Sequence, residues 1–265
     1  MKNKLKHFVK VFFISKILSV YRRIFVKNKI AFGEKNWYKI QLNYLCVDIS
    51  ESDLNINLER DTFIGKFNDI ENIYTSHTLE HVTENKVDKF ICESYEILKK
   101  GGVLRIEVPD SDLILDDYLG SKEYNSIIVK ENQVNLVKKL GLPRIFEQDY
   151  IAFVGCISCY INQDESSGIH IPVTPTKEEF EYRLKNTKRT ELYDWLISLQ
   201  TDEQVKSHGH ITWYNNEKLY NKLKKTGFKV VKSVKPGETI SSFDLTLERP
   251  LDKRSKYSVI MEAIK

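Results

Sequence analysis

Residues 73–110 read IYTSHTLEHVTENKVDKFICESYEILKKGGVLRIEVPD, and their reading decides the fold. Ile73 to Ser76 is a short β-prone run that ends at His77. Behind it Val87, Phe90, Ile91, Ile97 and Leu98 recur at helical spacing on one face. Gly101-Gly102 offers the left-handed residue at which a helix stops. Val103 to Val108 reads as a second strand, halted by Pro109. Strand, helix, strand predicts a βαβ unit whose strands are parallel neighbours joined by a right-handed crossover. His77, Glu80, His81 and Asp110 then fall at C-terminal strand ends, the edge at which open α/β sheets bind ligands.

Outward from this unit, residues 29–33 (KIAFG) and 44–49 (YLCVDI) read as strands. The first closes on Gly33 and the second carries Asp48 near its end. Residues 54–58 predict a third strand, followed by Glu59-Arg60-Asp61. Downstream, residues 111–141 are helical in character, with Leu113, Ile114, Leu115, Tyr118, Val134, Leu136 and Val137. Residues 142–210 break the alternation of strand and helix and hold the aromatic run FEQDYIAFVGCISCYI. After His208-Gly209-His210, a helix is expected from about Glu217 to Thr226, capped by Asn215 or Asn216 and ended by Gly227. Leu219 and Leu223 face inward on it. Residues 229–234 and 257–264 complete the strands, with a turn at Pro236-Gly237. The expected organisation is a basic amphipathic helix over 1–28 and one α/β domain over 29–265, with an insertion at about 142–210.

Hydrophobic content of 41% and charged content of 29% are those of a globular protein. The net charge of +4 is unevenly placed. Residues 1–29 carry nine Lys or Arg and no acid, which leaves the rest of the chain at −5. An acidic body argues against nucleic acid as a partner. Within residues 11–26, Ile14, Ile17, Leu18, Tyr21, Ile24 and Phe25 share one arc, and Ser15, Lys16, Ser19, Arg22 and Arg23 the other. The run is too short and too charged to span a bilayer, and no signal-peptide cleavage site follows it. Two readings stand: a helix lying on the inner membrane surface, or one packing its apolar face on the domain or a second subunit. Cys46, Cys92, Cys156 and Cys159 form no disulfide framework, which suits a reduced cytoplasmic setting. Cys46 and Cys92 are expected to be buried. Cys156 and Cys159 have half the spacing of a zinc site, but a second such pair is missing.

The sequence SHTLEHV, followed by EILKKGG and VLRIEVPD, resembles the class I S-adenosylmethionine-dependent methyltransferases. It looks most like the bacterial subgroup met in surface-polysaccharide biosynthesis, with H-x-L-E-H, L-K-P-G-G and R-I-x-V-P-D motifs. Lys100 stands where that pattern has proline. The ending, LERPLDKRSKYSVIMEAIK, is similar to the family's closing basic turn and strand. The likeness brackets residues 29–110 and 208–265.

The resemblance implies a Rossmann-like sheet of seven strands, the last antiparallel, with helices on both faces. It implies S-adenosylmethionine as cofactor and a hydroxyl or carboxyl of a glycan or other small molecule as methyl acceptor. Gly33 matches the turn that meets the cofactor's methionine part. Asp48 matches the carboxylate that holds the ribose hydroxyls, and Asp61 the acid near the adenine. His77 would sit beside the sulfonium. His77 and His210 are candidates for the base that deprotonates the acceptor, with Asp110 as an orienting or alternative base. No metal is implied. The chain departs from the pattern where Gly33 is followed by Glu34-Lys35-Asn36 and not by a second glycine. That leaves two outcomes open: a rebuilt cofactor loop, or a methyltransferase-like domain that binds a partner without catalysis.

Overall fold

The computed structural model describes residues 14, 16–34, 43–120, 149–158, 175–200, 202, 205, 209–247, 255 and 257–265. They fall into two compact units, one of residues 1–108 with 216–265, the other of residues 109–215. The first holds the sheet: β1 (Lys29–Phe32), β2 (Leu45–Asp48), β3 (Leu54–Asn55), β4 (Ile70–Ser76), β5 (Leu98–Pro109), β6 (Val230–Ser233) and β7 (Ser258–Ile264). Their order is β3-β2-β1-β4-β5-β7-β6. β1 pairs parallel with β2 and β4, β2 with β3, and β4 with β5, whereas β6 and β7 are antiparallel. This is the Rossmann-like arrangement expected, with the order reversing beside β1. In such a sheet the switch point is where loops part and a ligand crevice opens.

Alternation along the strands gives the sheet two unlike faces. Ile30, Phe32, Ile73, Leu104 and Ile106 form an apolar face. α2 (Glu84–Ile97) covers it with Val87, Phe90 and Ile91, and Phe32, Phe63 and Phe90 meet ring to ring at 4.9–5.8 Å. The opposite face carries Asn72, Tyr74, Arg105, Glu107 and Glu262, all buried. Burial of such groups is tolerated where each finds a partner. Arg105 meets Glu262 at 2.6 Å and lies over the Phe243 ring. Tyr44 donates to Asn72 and to the Asp244 carbonyl. The segment from Thr239 to Phe243 closes this face, with Thr239 and the Ile240 amide both donating to Glu262.

Three expectations are corrected. α2 ends at Ile97, and Leu98 is already extended. Gly101-Gly102 is therefore no helix cap. The pair sits in an irregularity of β5, where six residues (98–103) lie opposite three on β4 (70–72). A Cβ on Gly102 would stand 2.7 Å from the Ile70 carbonyl oxygen, so the ladder there requires glycine. β3 is two residues long because the chain turns away after Asn55. Cys92 is exposed on α2, while Cys46 is buried as expected.

The segment before β1 is a helix, α1 (residues 16–25), and its docked side is the polar one. Arg22 is fully buried and bonds Asp53 through Nε at 2.6 Å and a terminal nitrogen at 2.8 Å. Ser19 is buried on the same side. Ile17, Val20, Tyr21, Ile24 and Phe25 all point outward. Of the expected apolar arc, Ile17, Tyr21, Ile24 and Phe25 are exposed and Ile14 and Leu18 are half-buried, so the arc does not pack on the domain as a whole. Among the described residues no helix is long and apolar enough to cross a membrane.

The second unit is helical where described: α3 (Ser111–Gly120), α4 (Asp149–Ser158), α5 (Lys177–Asn186) and α6 (Arg189–Ser198). Phe153, Phe180, Leu192, Tyr193, Leu196 and Tyr214 form its core. Thr176 caps α5 by accepting from the Glu179 amide. Val134, Leu136 and Val137, Cys159 and His208 lie outside the described residues. The last helix, α7 (Asn216–Thr226), belongs to the first unit and buries Leu219 and Leu223 as the sequence predicts.

Candidate functional site

Gly33, Asp48 and His77 lie in the sheet unit at the C-terminal ends of β1, β2 and β4. The turn after β1 is fixed from two directions. Gly33 takes φ +75°, a left-handed conformation that side chains disfavour. Its amide donates to the Val47 carbonyl at 2.7 Å, which ties the turn to β2. A Cβ on Gly33 would stand 2.8 Å from the Thr78 Cβ and closer still to the Thr78 hydroxyl. The turns after β1 and β4 thus pack on each other with no room for a methyl group. Thr78 adjoins His77 in sequence, but nothing in its composition or spacing announces this contact.

Glu34, the departure from the glycine-rich pattern, is buried. Its charge helps to raise the Tyr74 hydroxyl well above its ordinary pKa, after burial and the charge of Glu107. Tyr74, Ser76 and Ser255 all donate to Glu107, at 3.0, 3.2 and 2.7 Å. Residues 35–42, the remainder of this loop with Trp37, lie outside the described residues.

Asp48 is half-buried at the end of β2, and its Oδ1 accepts the Ile49 amide at 2.6 Å. That bond orients the carboxylate. Ile49 itself is 56% exposed, an apolar surface immediately beside an acid. A carboxylate that can accept hydrogen bonds from two hydroxyls, next to an apolar platform, is the acceptor and contact set that a nucleoside requires. The residues present therefore fit the ribose end of the implied cofactor. Asp61 is exposed, and its carboxylate accepts the Asn57 amide at 2.8 Å within its own turn.

His77 ends β4 with φ +49°, rare for a residue with a side chain. Its amide donates to the Glu107 carbonyl. Both ring nitrogens have neighbours: Nδ1 lies 3.3 Å from Glu80 Oε1 and Nε2 lies 3.0 Å from Ser258 Oγ. Glu80 is buried. With Glu80 as a carboxylate, which can only accept, a neutral ring carries its proton on Nδ1 and accepts at Nε2. Strained backbone held by several bonds is a pattern of functional sites. Ser258, from the last strand, has no sequence signal linking it to His77.

The other two candidates lie in the helical unit. Asp110 precedes α3, and its Oδ1 accepts the Asp112 and Leu113 amides at 3.0 and 3.2 Å, so it caps that helix. Burial raises its pKa, against the pull of those two bonds. His210 is held through its main chain, with its amide on the Ser158 carbonyl and its own carbonyl taking the Gln200 side-chain amide. Its Nδ1 lies 3.2 Å from the Ile157 carbonyl oxygen.

No known family model matches the chain, and no curated protein matches it. Among solved structures, the chain is similar to an S-adenosylmethionine-dependent methyltransferase from Archaeoglobus fulgidus (10% identity, 95% of this chain and 94% of that one, TM-score 0.39). It is also similar to one from Mesorhizobium loti (12% identity, 91% of each chain, TM-score 0.41). A third is an O-methyltransferase family protein from Burkholderia thailandensis (9% identity, 95% of this chain and 55% of that one, TM-score 0.39). Likeness this distant assigns no reaction, and the strand order above stands on its own hydrogen-bonded pairs.

Proposed function

We propose that this protein is an S-adenosylmethionine-dependent methyltransferase acting on a hydroxyl or carboxyl of a glycan or other small acceptor. The observation that carries the reading is the joint placement of Gly33, Asp48 and His77 at three adjacent strand ends beside the sheet's switch point. The bound cofactor would supply an electrophilic methyl group on a sulfonium. Asp48 would grip the ribose hydroxyls, with Ile49 against the base. Because the displacement needs little covalent help, the protein's main work is alignment, worth roughly 7–11 kcal/mol in well-oriented systems. His77 would act at Nε2, with Glu80 holding the ring and its proton on the other nitrogen; such a base adds a factor of about 10²–10⁴. The glycan class rests on the sequence resemblance.

Glu34 supports a second reading, a methyltransferase-like domain that binds a partner without catalysis, since a buried carboxylate replaces the expected open turn. Ligand-dependent thermal stability separates the two. S-adenosylhomocysteine at about 100 times its dissociation constant should add roughly 2.7 kcal/mol, read as a raised Tm. Asp48→Ala should remove that shift while leaving the ligand-free Tm near that of the parent. A folded parent protein that shows no shift at millimolar S-adenosylmethionine and S-adenosylhomocysteine would leave the non-catalytic reading.

A further inference from the structure

We propose that the outward face of α1 seats this protein on an anionic lipid surface. Ile17, Val20, Tyr21, Ile24 and Phe25 are 61%, 58%, 44%, 53% and 65% exposed. At about 100° per residue these five share one continuous arc of the helix. The opposite arc holds Ser19 and Arg22, both buried. Lys16 and Arg23 are exposed along one edge of the apolar arc, and Lys27 is exposed just past the helix end. An apolar stripe with a basic margin is the pattern of a helix lying in a membrane interface.

The buried pair of Arg22 with Asp53 fixes how α1 is rolled about its axis. Turning the apolar arc inward would strip a buried guanidinium of its carboxylate, which is strongly unfavourable. The outward placement of five large apolar side chains is therefore built into the docked helix. Tyr21 and Phe25 also pack ring to ring at 4.8 Å, so they present one joint surface.

Charge selects the occupant. Residues 1–29 carry nine basic side chains and no acid, against a net −5 on the rest of the chain. Arg22 and Lys29 are paired with Asp53 and Asp244, and Lys16, Arg23 and Lys27 are the exposed cations beside the apolar arc. A second copy of the chain would bring the same positive charge to this face, and like charges oppose that contact. Anionic headgroups complement it, and each basic residue near them adds attraction. The acidic body is repelled by the same surface, so attachment through α1 would also orient the molecule. This inference is independent of methyl transfer, and its readout needs no methyl donor.

The test is co-sedimentation of the full chain with phosphatidylcholine vesicles, with and without phosphatidylglycerol. Binding is expected on the mixed vesicles, weaker on the neutral ones, and reduced by added salt. Phe25→Glu and Ile24→Glu should each weaken it roughly tenfold or more without changing Tm, since both residues are exposed. Arg23→Glu with Lys27→Glu should remove the preference for anionic vesicles. Equal binding to both vesicle types, full binding by Phe25→Glu, or no binding at all would overturn the proposal. So would a dimer that Phe25→Glu dissolves with no vesicle binding, because it would give the face to a second copy.

Discussion

Gly33 shows how one position can be constrained by two unrelated demands. Its φ of +75° costs a side-chain-bearing residue about 1–2 kcal/mol, and the Thr78 side chain occupies the space a methyl would need. Gly33→Ala should therefore destabilise by more than the backbone term alone, roughly 2–4 kcal/mol. A double-mutant cycle with Thr78→Ala probes the steric contribution: it removes the hydroxyl and the methyl but keeps the Thr78 Cβ 2.8 Å from the new Cβ, so the relief is partial. A coupling of about 0.5 kcal/mol or more in urea unfolding is expected. Strict additivity would mean that the turn relaxes away from Thr78 and that only the left-handed backbone requires glycine. Ligand binding by the double mutant is a separate question, because Asp48 on β2 does not depend on the Thr78 contact.

At the scale of the element, α1 is attached by an ion pair that its own periodicity hides. Arg22→Ala should cost about 3–5 kcal/mol, since it leaves Asp53 buried without its cation. The combined Arg22→Met, Asp53→Leu replacement should recover part of that loss, held back because Asp53 also accepts the Cys46 amide at 2.9 Å. Equilibrium unfolding of the three proteins checks this. The helix was legible in the sequence, but its docked face was not: Arg22 lies 31 residues from its partner, and no local pattern links them. The sheet was legible because β1, β2, β4 and β5 end on residues that punctuate strands: Gly33, Asp48, His77 and Pro109. Gly101-Gly102 misled for the same reason, since a glycine pair marks a bulge as readily as a helix end. At the site, strand-end positions made Gly33, Asp48 and His77 visible. Thr78 and Ser258 act through contacts that only folding creates, and Ser258 lies 181 residues from His77.

For the whole molecule, the sheet unit is interrupted in sequence: residues 109–215 intervene between its two parts. The C-terminal part must therefore return to finish it, and polar ties across the polar face mark where it does. Lys29, opening β1, meets Asp244 at 2.7 Å, 215 residues later. The Asp244 amide donates to Asn72 on β4, and its carbonyl accepts from Tyr44. Contacts this distant in sequence slow folding, since the closure entropy precedes their gain. Burial alone would raise the Asp244 pKa, but hydrogen bonds from Lys29 and Thr246 outweigh it, and the carboxyl is held below its ordinary range. A carboxylate depressed in the folded state contributes stability above its unfolded pKa of about 3.9, and that contribution is lost as pH falls through the folded value. Lys29→Met removes the cation and so should cost about 1 kcal/mol at neutral pH. The gap between parent and variant should narrow as pH falls below about 4 and close only beneath the parent's depressed folded value, where Asp244 is protonated in both proteins. Urea unfolding across that range checks the sign. A gap that stays constant with pH would mean that Lys29 stabilises β1 through its ammonium over the Tyr44 ring, and not through its ion pair with Asp244 on the returning chain.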